Sequence, residues 1–299
     1  MKYIKGMFTI VLLGVYVVAC SKEPTKDISK TKEVSSVQEE TKKEVEQTQE
    51  APSLQQNEEK SVETDPSAQQ KEEQAEKTEK APAIKQEQPK FIVVIDPGHQ
   101  QKANLNLEPI GPGATKQKYK VTDGTTGVVT KKRESELVLE AAFILKEMLE
   151  AKGFDVRMTR TTQDVNMSNR ERATFANEQQ ANLFLRLHAD GSESPAQKGF
   201  AVLTPAEGSE YTKGIYEESL QVSQFIINRM KENKQVQVNG IKFRDDLSGF
   251  NWSKVPGVLL ELGFMSNSEE DQKLSDRNYL DPLLQNVADS VEEYQKSKS

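Results

Sequence analysis

Three apolar runs of strand length constrain this chain more than any other feature: FIVVI at 91–95, LFLRL at 183–187 and VLLEL at 258–262. A near-continuous run of this length reads as a strand buried on both faces, as in a parallel sheet with a layer on each side. Shorter strand patterns occur at Phe154–Thr159 and Phe200–Leu203. Helical patterns lie between and after them. Glu134–Lys152 carries Leu137, Ala141, Ile144, Leu145, Met148 and Leu149 on one face, and Gly153 follows as a stop. Ser168–Gln180 and Tyr211–Asn233 read as further helices. The chain closes with Leu280, Leu283, Leu284, Val287, Val291 and Tyr294 at helical spacing. Strands alternating with helices predict one α/β domain with a mainly parallel sheet. The stretch Gln100–Arg133, rich in Gly, Pro, Lys, Asn and Thr, reads as a long irregular excursion, and loops of that length inside a compact domain usually serve function.

The domain does not begin at residue 1. Residues 21–90 contain no Phe, Tyr or Trp and are dominated by Lys, Glu, Gln, Ser and Thr. Such a segment buries too little apolar area to offset its ordering entropy, so residues 20–90 are expected to be a disordered tether and 91–299 the folded domain. A flexible coil of this length has a reach of roughly 45–50 Å. Ahead of it, Lys2 and Lys5 precede an apolar stretch, Met7–Val18, that suits a signal peptide better than a membrane span. The stretch ends in Val17-Val18-Ala19-Cys20, which resembles the bacterial lipoprotein cleavage site. Residues 1–19 then form a lipoprotein signal peptide. Cys20, the single cysteine, becomes the lipidated first residue of a chain anchored to the outer face of the membrane. One cysteine also means no disulfide within the chain. The net charge is −7, of which −5 comes from 12 Lys against 17 acidic residues in 21–90. Nothing in this balance suggests a nucleic-acid footprint.

Chemistry concentrates at the strand exits. The chain has two histidines, His99 and His188, and each closes a strand-like run. Two histidines with a carboxylate can hold a catalytic zinc, whereas two unrelated hydrogen-bonded histidines are the plain alternative. In open α/β sheets, ligands gather at the carboxyl ends of strands, which is where both histidines lie. Glu261 stands among Val258, Leu259, Leu260 and Leu262. Buried there without water, a metal or a cation, its carboxylate would cost several kcal/mol. Solvent exposure on an alternating strand is the other reading.

The segments IDPGH (95–99), the helix opening at Glu134, MTRTT (158–162), Arg172 with Ala176-Asn177, RLHAD (186–190) and PGVLLELGFMSN (256–267) occur in one order across the domain. Together they resemble the zinc-dependent N-acetylmuramoyl-L-alanine amidases of the amidase_3 family of peptidoglycan hydrolases. The resemblance implies a six-stranded sheet flanked by helices. It implies a zinc ion held by His99, Glu134 and His188, and Glu261 as the catalytic general base. Glu134 fits the family's helix opening, five residues before Leu139, and a carboxylate in a first helical turn suits the helix dipole. Glu136 and Glu140 stay open as alternatives. The substrate implied is peptidoglycan, cut at the amide between N-acetylmuramic acid and the L-alanine of its stem peptide. Asp96 and Asp190 stand next to the site as groups that could orient the histidines, with turn capping an equal role for Asp96.

The chain departs from the family pattern at Arg186, where serine is usual, and at Gln100, where glycine is common. EPIGPG (108–113) and DGTTG (123–127) resemble a subgroup common in Gram-positive bacteria, and the 100–133 excursion is expected to wall the substrate groove. The leading reading is a monomeric, lipid-anchored, extracytoplasmic cell-wall amidase. A silent wall-binding lipoprotein on the same scaffold and a zinc carboxypeptidase acting on stem peptides are the alternatives.

Overall fold

The computed structural model describes residues 90–298. Cys20, the expected signal peptide and the expected tether lie outside the described residues. In chain order the elements are β1 (Ile92–Pro97), β2 (Asn104–Pro109), β3 (Gln117–Val121), α1 (Glu134–Ala151), β4 (Asp155–Met158), α2 (Asn169–Glu178), β5 (Leu183–Asp190), β6 (Phe200–Pro205), α3 (Tyr216–Glu232), β7 (Val238–Arg244), α4 (Ser248–Asn251), β8 (Gly257–Phe264), α5 (Ser268–Leu274) and α6 (Arg277–Ser297). Six strands form one sheet in the order β4-β1-β5-β8-β6-β7. Every neighbouring pair is parallel except β6 with β8. The α/β architecture expected from the sequence is the architecture observed.

The apolar runs sit at the centre of the sheet because both of their faces are covered. On one face Val93, Ile95, Leu185, Leu187, Val202 and Leu260 pack against Leu137 and Leu145 of α1, Val222 and Ile226 of α3, and Leu283 and Leu284 of α6. On the other face Val94 and Phe184 meet Ala173 and Ala176 of α2, while Ala201, Leu203 and Leu259 meet Phe250 by α4. Full burial of each such side chain contributes about 1.5–3 kcal/mol before entropy is charged against it. The pleat then sorts β5. Leu183, Leu185 and Leu187 face the α1–α6 layer, so Phe184, Arg186 and His188 must face the other way.

Two local expectations are corrected, and one strand was not legible in the sequence. The 100–133 excursion is not wholly irregular, because β2 and β3 pair as an antiparallel hairpin with Leu107 opposite Tyr119. Its polar residues alternate with Leu105, Leu107 and Tyr119, all more than half exposed, so it lacks the buried face that makes a strand legible. The sixth strand, β7, is an edge strand with charged residues at alternate positions and no continuous apolar run. Helix α3 starts at Tyr216 rather than Tyr211, because the preceding residues close turns from Thr212 N to Ser209 O and from Ile215 N to Thr212 O.

Candidate active site

β1 ends in Asp96-Pro97-Gly98-His99, and His99 adopts a left-handed backbone with φ 57°. That conformation costs an L-residue roughly 1–2 kcal/mol, so something must hold it. Two buried arginines do. Arg160 donates to the carbonyls of Pro97 (3.0 Å) and Gly98 (2.9 Å), and Arg172 donates to those of Pro97 (2.8 Å) and His99 (2.9 Å). Between them they grip three successive carbonyls of the turn. Asp96 anchors the grip beneath. It accepts from Arg172 (2.8 Å), Arg186 (2.9 Å) and Thr159 (2.6 Å) and is fully buried. Burial alone would raise its pKa, but the two guanidinium charges and the Thr159 hydroxyl hold it well below the ordinary carboxylate range. The expected role for Asp96 beside a histidine therefore gives way: its carboxylate partners are arginines and a threonine. Among the described residues the Asp190 carboxylate accepts a local bond, from Gly191 N at 2.8 Å.

Glu134 is the first residue of α1 and is buried. Its Oε1 lies 3.2 Å from His99 Nε2 and 3.0 Å from His188 Nδ1, and accepts from Ala189 N at 3.1 Å. Its Oε2 accepts from Thr125 N at 3.0 Å. The open alternatives close here. Glu136 folds back on Arg133 N, and Glu140 pairs with Lys132, so neither reaches the histidines. Burial pushes the Glu134 carboxyl up, but hydrogen bonds and charge from His188 and His99 outweigh it and keep the group ionised. His188 moves the other way. Burial, with the neighbouring His99 and Arg186 charges, lowers it from 6.5 to about 4 despite the bond to Glu134, so it is neutral at physiological pH. A carboxylate and a neutral imidazole are the protonation states in which these groups bind metals.

The donors fit a cation. His99 Nδ1 donates to the carbonyl of Thr122 at 2.8 Å, which turns Nε2 towards the carboxylate oxygen of Glu134 at 3.2 Å. Among the described residues, one ligand atom each from His99, Glu134 and His188 lies within 4.8 Å of the others, and His188 Nε2 is enclosed without a partner. Close packing admits only glycine nearby. A Cβ on Gly98 would strike the His188 ring, and one on Gly124 would come within 2.7 Å of Glu134 Oε2.

Glu261 reaches this group through strand register, since it is the direct cross-strand partner of His188. Its Oε2 is enclosed and has no hydrogen-bond partner. Burial, then the charges of Glu134 and Asp190, push its pKa well up, against the opposing charges of Lys242 and Arg244. A cavity of about 730 Å³ opens from His99 and His188 along the sheet face, with the β2–β3 hairpin as one wall. The expectation that the 100–133 excursion walls a groove holds. Two contributors escaped the sequence reading. Arg160 occurs in the quoted MTRTT segment without an assigned role, and the Thr122 carbonyl is a backbone group that no side-chain pattern reports.

Comparison with known proteins agrees with this arrangement. The family described as N-acetylmuramoyl-L-alanine amidase matches residues 93–293. The probable cell wall amidase LytH of Staphylococcus aureus is 27% identical over 206 residues, covering 68% of this chain. The chain spans 57% of the length of that relative. Among solved structures, the N-acetylmuramyl-L-alanine amidase Ami1 of Mycobacterium smegmatis superposes with a TM-score of 0.62 at 22% identity, covering 69% of this chain and 97% of its own. The catalytic domain of CwlV from Bacillus (Paenibacillus) polymyxa var. colistinus gives 0.53 at 23% identity, covering 69% and 98%. At these identities the likeness is one of fold.

Proposed function

Because the chain belongs to the N-acetylmuramoyl-L-alanine amidase family, we propose that it hydrolyses the amide between N-acetylmuramic acid and the L-alanine of the peptidoglycan stem peptide. The observation that carries this reading is the convergence of His99, Glu134 and His188 beside the unpartnered oxygen of Glu261. Zinc is the cation best suited to two imidazoles and one carboxylate, and His99, Glu134 and His188 are the residues that would hold it. When bound, zinc supplies a Lewis acid and an open position at which water becomes acidic near neutral pH.

The chain's own groups do the rest. The carbonyl of Thr122 fixes the tautomer of His99, and the clasp by Arg160 and Arg172 fixes its backbone. Glu261 takes a proton from the attacking water as its oxygen bonds to the lactyl carbonyl carbon. The carbon–nitrogen bond then breaks, and Glu261 returns the proton to the leaving alanine nitrogen. A carboxyl whose pKa is raised by burial towards the working pH is suited to both transfers.

The sequence and the relatives named as probable cell wall amidases support a site of action outside the cytoplasm. We read the chain as an extracytoplasmic monomer held to the membrane through Cys20, with residues 20–90 giving it reach into the wall. None of the helices among the described residues is long and apolar enough to cross a membrane. The test is digestion of purified peptidoglycan by the full-length chain, with and without a zinc chelator, followed by mass analysis. Free stem peptides and unsubstituted glycan, both lost with chelator, are expected. Release of only a terminal D-alanine would replace the amidase reading with a carboxypeptidase.

A further inference from the structure

Arg186, the residue that departs from the family pattern, lines the same cavity as the two histidines. It lies two positions before His188 on β5 and on the same face of the sheet. Its side chain is 97% buried, with Nε on Asp96 (2.9 Å) and Nη2 on Asn169 Oδ1 (2.7 Å). Its remaining nitrogen, Nη1, lies against Gly249, where a Cβ would collide with it.

The charge beneath the cavity floor is unbalanced. Arg160, Arg172 and Arg186 are all buried, and Asp96 is the carboxylate that Arg172 and Arg186 share. Arg160 bonds to backbone carbonyls instead. Counting the buried Glu134 beside the two histidines as well, three positive charges against two negative leave a surplus of one. The protein as a whole carries −7, yet no aspartate or glutamate is among the residues lining the cavity. Its second lining cation, Lys118, is already held by Asp246 at 2.9 Å. A cavity of this kind selects an anion.

The spacing says where that anion sits on the substrate. Two residues along a strand span about 6.6 Å, which separates the Arg186 and His188 positions. An extended peptide advances by the same repeat, so a scissile carbonyl placed at His188 brings the main-chain carboxyl carbon of the second amino acid level with Arg186. We propose that Arg186 is a specificity-determining residue that receives a free α-carboxylate on the second residue of the stem peptide, one linked onward through its side chain. This rests on the amidase reading for the direction of the peptide. A stem peptide carrying a carboxamide at that position would lose the charge-assisted bonds.

The test uses the full-length protein and two soluble muropeptides that differ only in carrying D-glutamate or D-isoglutamine at the second position. The corresponding free stem peptides serve for calorimetric binding. The carboxylate forms should bind and be cleaved at least ten-fold better, with the difference in KM rather than kcat. Arg186→Gln should abolish that preference while retaining cleavage of the carboxamide form, and Lys118→Met should leave the preference intact. Equal binding of the two stem peptides by the unaltered protein, which needs no variant to fold, overturns the assignment. So does a preference that survives Arg186→Gln or disappears in Lys118→Met. Cleavage of neither muropeptide would instead count against the amidase reading, and the binding arm would still decide the role of Arg186.

Discussion

Two buried charged clusters share one face of the sheet, and they differ in how completely they are satisfied. Around Asp96, both carboxylate oxygens are bonded, and Arg160 and Arg172 place their donors on carbonyls of the His99 turn. Around Glu134, His188 Nε2 and Glu261 Oε2 are enclosed with no partner. Buried polar atoms are almost always paired, so an orphan pair beside a cavity points to a place kept for a ligand, while a bonded network points to a scaffold. The same residue types thus serve opposite ends. One cluster spends its hydrogen bonds on rigidity, and the other holds its donors in reserve.

The comparison can be broken most forcefully at Asp96. Asp96→Asn strips the carboxylate charge from two buried guanidinium groups and should lower unfolding free energy by about 3–5 kcal/mol, measured by urea denaturation. A loss below about 1 kcal/mol would mean the cluster is no scaffold. At Glu261 the pattern should invert. Glu261→Gln should reduce peptidoglycan cleavage by about 10²–10⁴-fold. Its denaturation midpoint and its zinc content should match those of the parent, because an unpartnered carboxyl contributes no bond to the fold. An active Glu261→Gln protein would remove Glu261 from the role of base.

The smallest effect is a pH dependence that separates the clusters. In chelated protein, His188 has a folded pKa of about 4 against an ordinary 6.5. Between those values the folded state binds fewer protons than the unfolded chain, so stability rises with pH and is lost as pH falls from 6.5 towards 4. The slope is at most about 1.4 kcal/mol per pH unit. The Asp96 contribution has the same sign but a lower window: it is present above the ordinary carboxylate range and lost as pH falls through and below that range. Thermal melts from pH 7 to 4 should therefore show a decline that His188→Gln abolishes. A decline of the same size in both proteins would assign it elsewhere.

Much of the site was legible because its residues end strands. His99 and His188 follow apolar runs, and Glu261 interrupts one, so their placement at the sheet's active edge needed only the strand pattern. The choice among Glu134, Glu136 and Glu140 was not legible from periodicity. Residues in one helical turn differ in direction, and only the docking of α1 against β1 and β5 turns Glu134 inward. The hairpin wall was hidden for a different reason: β2 and β3 expose Leu105, Leu107 and Tyr119 and bury little, so they lack a core-facing period.

Sequence alone determined the α/β alternation and offered a short set of candidate residues for the chemistry. Local apolar periodicity and residue type carry that information. Tertiary structure decided which carboxylate meets the histidines, that Asp96 serves arginines rather than a histidine, and that Arg186 lies under the cavity. Those outcomes depend on cross-strand register, Asp96 opposite Arg186 and His188 opposite Glu261, and register is set by packing between segments some 70 to 90 residues apart.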